Sequence, residues 1–352
     1  QEPLKMSVSK MEYRFLGRTG LKVSAISLGG WITHGGHVTD DDAFASIKAA
    51  HDAGVNFFDT AENYNAGKAE IVLGSAIKKF GWKQNDLVVS TKIYFGLNNS
   101  ADPSNPINNV GLSRKHIIEG LNLSLGRLGL PYVDIVYAHR PDRNTPIEEV
   151  VRAFNHLINT DKAFYWGTSE WSASEIADAW RAADRLNLIG PAVEQPQYNL
   201  LTRTKVEDDF RWLYGKFGTG LTVFSPLKQG ILTGKYNGVE TPPPGSRLAE
   251  ATDKYTKSFA ATFGNETWQR ELKQVEALKP IAEEIGATLS QLALAWVLSN
   301  PNVSSLITGA SRVEQVHQNI QALGFVEKLT PEVLEKINKA LGNKPAVPPL
   351  RF

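Results

Sequence analysis

The stretch NFFDTAENYN, residues 56–65, continues an apolar run, Val55–Phe58, into an acid, Asp59, with a tyrosine, Tyr64, shortly beyond it. A run of that length bounded by polar residues reads as a buried strand. The same unit recurs along the chain as Ala25–Leu28, Leu87–Thr91, Val133–Ala138, Phe164–Thr168, Ala192–Glu194, Leu221–Phe224 and Ser304–Ile307, which makes eight strands. Segments of helical period lie between them, as in Ser113–Leu128, where Ile118, Leu121, Leu125 and Leu128 mark a buried face. Thr288 with Gln291 and Ser311 with Glu314 read as capping boxes, and Thr330–Pro331 as an N-cap followed by proline in the first turn.

Strands alternating with helices predict an α/β protein with a parallel sheet, and eight such units predict a (β/α)8 TIM barrel rather than a doubly wound sheet. No G-x-G-x-x-G follows any strand, which weakens a Rossmann reading further. A β-hairpin is expected over Tyr13 to Ser24, turning at Gly17–Gly20, and Pro242–Gly245 falls inside a long loop after the seventh strand. The expected organisation is an N-terminal extension over 1–12, one barrel domain over 13–345 and a C-terminal tail over 346–352.

Lys and Arg total 38 against 37 Asp and Glu, so no global field favours nucleic acid or an anionic membrane. Hydrophobic residues make up 42% of the chain, ample for a packed core, and the absence of cysteine excludes disulfides, iron–sulfur clusters and a thiol nucleophile. No apolar stretch approaches the roughly 18 residues of a membrane span. A cytoplasmic protein without membrane insertion is the expectation.

In a barrel the chemistry gathers at the carboxyl ends of the strands. Those ends carry Asp59, Lys92, His139, Ser169, Gln195, Ser225 and Gly309. Any one has an ordinary explanation, such as a helix cap or a solvated charge; their convergence does not. The set offers no metal-ligand cluster and no carboxylate pair, which disfavours hydrolase or lyase chemistry. It suits acid catalysis at a carbonyl. Hydride addition leaves an alkoxide-like oxygen that needs a proton, and an ordinary phenol, with pKa near 10, delivers one poorly at neutrality. Lys92 beside Tyr64 would lower that pKa, Asp59 would hold Lys92 charged, and His139 would bond the carbonyl oxygen.

The strings FFDTAENYNAGKAEIVLG, VVSTK, YVDIVYAHRPD, YWGTSEWS and LITGASRVEQVHQN resemble the aldo-keto reductase superfamily, above all the branch containing the β subunits of voltage-gated potassium channels. The similarity runs from about Tyr13 to Pro345. It implies a barrel that binds NADP(H) without a Rossmann domain, with a catalytic tetrad on Asp59, Tyr64, Lys92 and His139. By the same resemblance Ser169 and Gln195 hold the nicotinamide carboxamide, with Gly30, Trp31 and Asp59 nearby, and Phe224 lies against the nicotinamide face. Ser225, Pro226 and Leu227 line the pyrophosphate, Gln229 and Gly230 also belong to the cofactor site, and a long loop carrying Lys235 and Arg247 covers it. Gly309, Ser311, Gln315, Gln318 and Asn319 fall at the adenosine end. A tetramer is also implied.

Preference for the 2′-phosphate has its own physical case. Ser311 opens a helix whose free N–H groups attract an anion, and Arg312 adds a fork of donors beside it. Gly30 stands where channel-like relatives have Thr, and Glu170, after Ser169, is expected to face solvent. His139 stands where channel β subunits commonly carry Asn. Trp31, Tyr94 and Phe95 are candidates for an apolar wall around an aldehyde or aryl ketone, together with Tyr64 and His139. The leading reading is an NADPH-dependent carbonyl reductase; the alternative is a redox-sensing channel subunit with little turnover.

Overall fold

The computed structural model describes residues 10–31, 33–98, 104, 106–251 and 253–346. Most of the expected N-terminal extension and C-terminal tail therefore lies outside the described residues. Met11, inside the stretch expected as an extension, is buried in the main core beside Gly54.

Among the described residues, a two-stranded antiparallel hairpin, β1 (Tyr13–Phe15) and β2 (Lys22–Ser24), precedes eight parallel strands that close into a barrel. These are β3 (Ile26–Gly29), β4 (Phe57–Asp59), β5 (Val88–Ile93), β6 (Val133–Ala138), β7 (Ala163–Ser169), β8 (Val193–Gln195), β9 (Gly220–Val223) and β10 (Val303–Thr308). They pair in chain order, with β10 closing onto β3. All eight predicted strands exist, displaced at their ends by two residues or fewer.

The surrounding helices are α1 (Asp40–Asp52), α2 (Lys68–Phe80), α3 (Arg114–Leu128), α4 (Ile147–Asn159), α5 (Ala173–Leu186) and α6 (Arg211–Phe217). There follow α7 (Lys254–Ala260), α8 (Glu266–Ile285), α9 (Leu289–Leu298), α10 (Val313–Ile320) and α11 (Pro331–Leu341). Thr288 and Gln291 form the expected capping box, and Thr330 caps α11 ahead of Pro331. On α3 it is Ile117, not Ile118, that is fully buried beside Leu121 and Leu128. The Ser311–Glu314 capping box does not form: the Ser311 backbone N–H and hydroxyl both donate to Gln315 Oε1, at 2.8 and 3.1 Å, and the helix begins at Val313. No single described helix is long and apolar enough to cross a membrane.

The two-residue period of a strand explains why short apolar runs carry a polar site. Phe57, Val88, Ile135, Tyr137 and Val193 point into the barrel and pack with Leu16 and Val23 of the hairpin, which plugs its amino-terminal end. Phe58, Val89, Val136 and Trp166 face the helices. Two residues on from the inward apolar set, the same face presents Asp59, His139 and Gln195; Ser90 and Lys92 continue it on β5. The plug needs Gly17: its φ is +53°, and a Cβ there would stand 2.5 Å from the Gly220 backbone nitrogen.

Candidate active site

Lys92 is wholly buried, and its three ammonium protons are spoken for. Nζ donates to Asp59 Oδ2 at 2.5 Å, to the Thr60 carbonyl at 2.7 Å and to the Tyr64 hydroxyl at 3.1 Å. The other oxygen of Asp59 accepts from Ser90 Oγ at 2.6 Å and Gln195 Nε2 at 3.2 Å. Burial is the largest influence on Lys92 and pulls its pKa down, but Asp59 and Tyr64 outweigh it and the net shift is upward. Lys92 is therefore a fixed cation.

Tyr64 departs from expectation. Burial pushes the phenol pKa up, and the opposing pull of Lys92 does not overcome it, so the net shift is upward rather than downward. The hydroxyl stays protonated at neutrality and stands ready to give its proton. The backbone beyond it is strained, with Asn65 and Ala66 at φ of +49° and +53°, and the turn is pinned where Asn65 Nδ2 donates to the His34 carbonyl at 2.7 Å. His139 packs edge-on to Tyr64, ring centroids 5.8 Å apart. Burial, then the charges of Arg140 and Lys92, hold its pKa well below the usual imidazole value, so the ring is neutral.

Tyr94, Phe95 and His139 form a chain of edge-to-face rings with centroid distances of 5.0 Å at each step. Trp31 is not part of that wall; it meets Tyr255 of α7 at 5.4 Å and the Arg247 guanidinium at 5.5 Å. One missed residue explains how the wall is set. Glu62, three residues after Asp59 and buried, accepts from the Tyr94 and Gly96 backbone N–H groups at 2.7 and 2.9 Å and lies 3.2 Å from His116 Nε2. It ties the tetrad loop to the wall. Nothing in its neighbourhood along the sequence announces partners just beyond β5 and on α3.

The expected cofactor residues fall into connected groups. Ser169 Oγ donates to the Gln195 carbonyl at 2.9 Å, at the ends of β7 and β8. After β9 the chain turns through half-buried Phe224 and Ser225, buried Pro226 and half-buried Leu227, with Ser225, Lys228, Gln229 and Gly230 all at positive φ. Left-handed residues on such a turn point backbone N–H groups into a concavity suited to anions. Arg247 reaches back over it: NH1 donates to Gln229 Oε1 at 3.0 Å, and NH2 would lie 3.7 Å from a Cβ on Gly309. Lys235 packs against Gly230, and burial, then Arg247, lowers its pKa. Arg312, the N-cap of α10, and Gln318 within it are exposed, Gln315 is half-buried and Asn319 is buried. This turn, cation and glycine arrangement fits a dinucleotide lying across the barrel mouth from Ser169 and Gln195 toward Arg312.

Two departures have structural explanations. A Cβ on Gly30 would lie 2.6 Å from Nδ1 of His34, so a buried imidazole fills the place of the side chain Gly30 lacks; burial brings its pKa to about 4 and keeps it neutral. Glu170 does not face solvent as expected. It is half-buried, accepts from the Gln197 backbone N–H at 2.7 Å and pairs with Lys205 at 3.3 Å. A separate cleft of about 1050 Å³ opens at the hairpin end of the barrel, away from the tetrad.

Fold and site together make a closed parallel barrel with a buried lysine–carboxylate pair beneath a tyrosine hydroxyl at its carboxyl end. Residues 25–341 match the model of the Aldo/keto reductase family, and the chain belongs to that family. It is 50% identical over 338 residues to an Arabidopsis thaliana protein named "Probable voltage-gated potassium channel subunit beta", covering 96% of this chain and 99% of the relative. An Oryza sativa subsp. japonica protein of the same name is 50% identical over 335 residues, covering 95% of this chain and 98% of the relative. A Schizosaccharomyces pombe relative with a channel subunit beta name is 53% identical over 335 residues, covering 95% and 94%.

Proposed function

We propose that the protein reduces aldehydes and ketones to alcohols with NADPH. The observation that carries this reading is the buried chain Asp59–Lys92–Tyr64, which leads to a protonated phenol beside a neutral His139. When bound, the reduced nicotinamide supplies the hydride that converts the carbonyl carbon to an alcohol carbon. Tyr64 gives its proton to the oxygen that becomes negative as the C=O π bond breaks. The phenolate left behind lies 3.1 Å from the Lys92 ammonium, the interaction that strengthens as charge develops. His139 orients the carbonyl oxygen, and Phe95 and Tyr94 exclude water on that side. Ser169 and Gln195 would hold the carboxamide, the turn from Phe224 to Gly230 with Arg247 the pyrophosphate, and Arg312 a 2′-phosphate.

The test is NADPH oxidation with a panel of aromatic aldehydes, wild type beside His139→Asn. Turnover that falls about a hundredfold in the variant supports the reading; NADPH binding with no turnover on any aldehyde contradicts it. A second reading draws on the relatives' names: the chain would act as a channel β subunit whose barrel senses redox state. Co-purification with a channel cytoplasmic domain, lost on exchange of NADP+ for NADPH, would favour it.

A further inference from the structure

Most charged groups next to the tetrad are paired or neutral. Lys92 is paired with Asp59, His139 is neutral, and Lys205 is paired with Glu170. Arg140, next to His139 in the chain, is half-buried, and no carboxylate among the described residues pairs with it. Its guanidinium lies over the Phe95 ring, 5.7 Å from the centroid. One terminal nitrogen, NH1, donates to the His139 carbonyl at 2.5 Å and, more loosely, to Ser169 Oγ at 3.5 Å. Nε and NH2 have no protein acceptor among the described residues.

The acids nearest in sequence are turned elsewhere. Asp142 accepts from the Leu112 and Asn144 backbone N–H groups at 2.8 and 3.0 Å and from Thr145 Oγ1 at 2.8 Å. Glu170 is taken by Gln197 and Lys205. A half-buried guanidinium with an open fork, held against the ring that packs on His139, is set to receive a planar anion in two-pronged fashion.

We propose that Arg140 is a specificity residue and that it selects carbonyl substrates bearing a carboxylate close to the carbonyl group. The proposal deepens the reductase reading and rests on it. With the carbonyl oxygen between Tyr64 and His139, a carboxylate on the same small body lies on the Phe95 side, where the unspent N–H groups are. A neutral substrate of the same shape leaves that fork unmatched.

The experiment uses the full chain and matched pairs of probes. The ratio of kcat/KM for a carboxybenzaldehyde over the corresponding carbamoylbenzaldehyde is measured in wild type, Arg140→Met and Arg140→Lys. In parallel, benzoate and benzamide are titrated calorimetrically into the NADP+-saturated protein. The wild type is expected to favour the carboxylate about tenfold or more in both assays, the scale of a charge-assisted hydrogen bond. Arg140→Met brings both ratios close to one, and Arg140→Lys, charged but without the fork, keeps part of the preference. A wild type without preference, or ratios unchanged in Arg140→Met, overturns the proposal, and continued turnover of the neutral aldehyde would then leave the reductase reading standing. Benzoate preference that depends on Arg140 in a protein that turns over neither aldehyde keeps the anion site and removes the reductase reading.

Discussion

Lys92 Nζ stands 2.5 Å from Asp59 Oδ2 in a place closed to solvent, and the same nitrogen touches the Tyr64 hydroxyl. The pair is both the site's electrostatic core and a structural commitment, because each partner buries a charge only while the other is present. Lys92→Met is expected to lower stability by about 3–5 kcal/mol, since it leaves the Asp59 carboxylate with only Ser90 and Gln195 as donors. The double variant Lys92→Met with Asp59→Asn should recover much of that loss without recovering turnover. Urea denaturation alongside an aldehyde assay checks both halves; recovery of activity in the double variant would show that the pair has no role in the chemistry.

Glu194 on β8 carries a second prediction, about pH. It is fully buried, accepts from Thr168 Oγ1 at 2.5 Å, and has its pKa raised by burial from 4.5 to about 8. The folded state therefore holds a proton that the unfolded chain releases above 4.5. This group's contribution to stability is fully present below about pH 4.5 and is lost as pH rises through about 8. The slope approaches about 1.4 kcal/mol per pH unit for the one proton. Glu194→Gln should remove the loss, so its stability relative to wild type rises across that window. Denaturation at several pH values reads the difference, and a constant offset between the two proteins would contradict it.

Arg312 is exposed at the start of α10, where Gln315 already occupies the Ser311 hydroxyl and N–H. Arg312→Ala is expected to weaken NADPH binding about tenfold or more while changing NADH binding little, because only the 2′-phosphate uses the guanidinium. Fluorescence titration with both nucleotides checks this; equal weakening would remove Arg312 from phosphate recognition.

The barrel was legible because each strand pairs an apolar run with a polar residue two positions beyond its inward face, as Phe57 does with Asp59 and Val193 with Gln195. That Asp59, Lys92 and His139 gather at one end of the barrel was legible for the same reason, whereas Tyr64 lies on the loop beyond β4. What lay beyond reach depends on partners far apart in the chain. Glu62 finds Tyr94, Gly96 and His116, and Glu170 finds Gln197 and Lys205, by folding rather than by spacing. The direction of the Tyr64 shift is not legible in the sequence, because proximity to Lys92 can be inferred from spacing, whereas the depth of burial that outweighs it cannot.

The central claim is that Tyr64 is the acid and that the cofactor site does not depend on its hydroxyl. The most direct measurement is Tyr64→Phe, with single-turnover aldehyde reduction and NADPH affinity determined on the same preparation. The account predicts loss of reduction by about a hundredfold or more with the NADPH dissociation constant nearly unchanged. Reduction that survives the substitution, or affinity that falls together with it, would contradict the account.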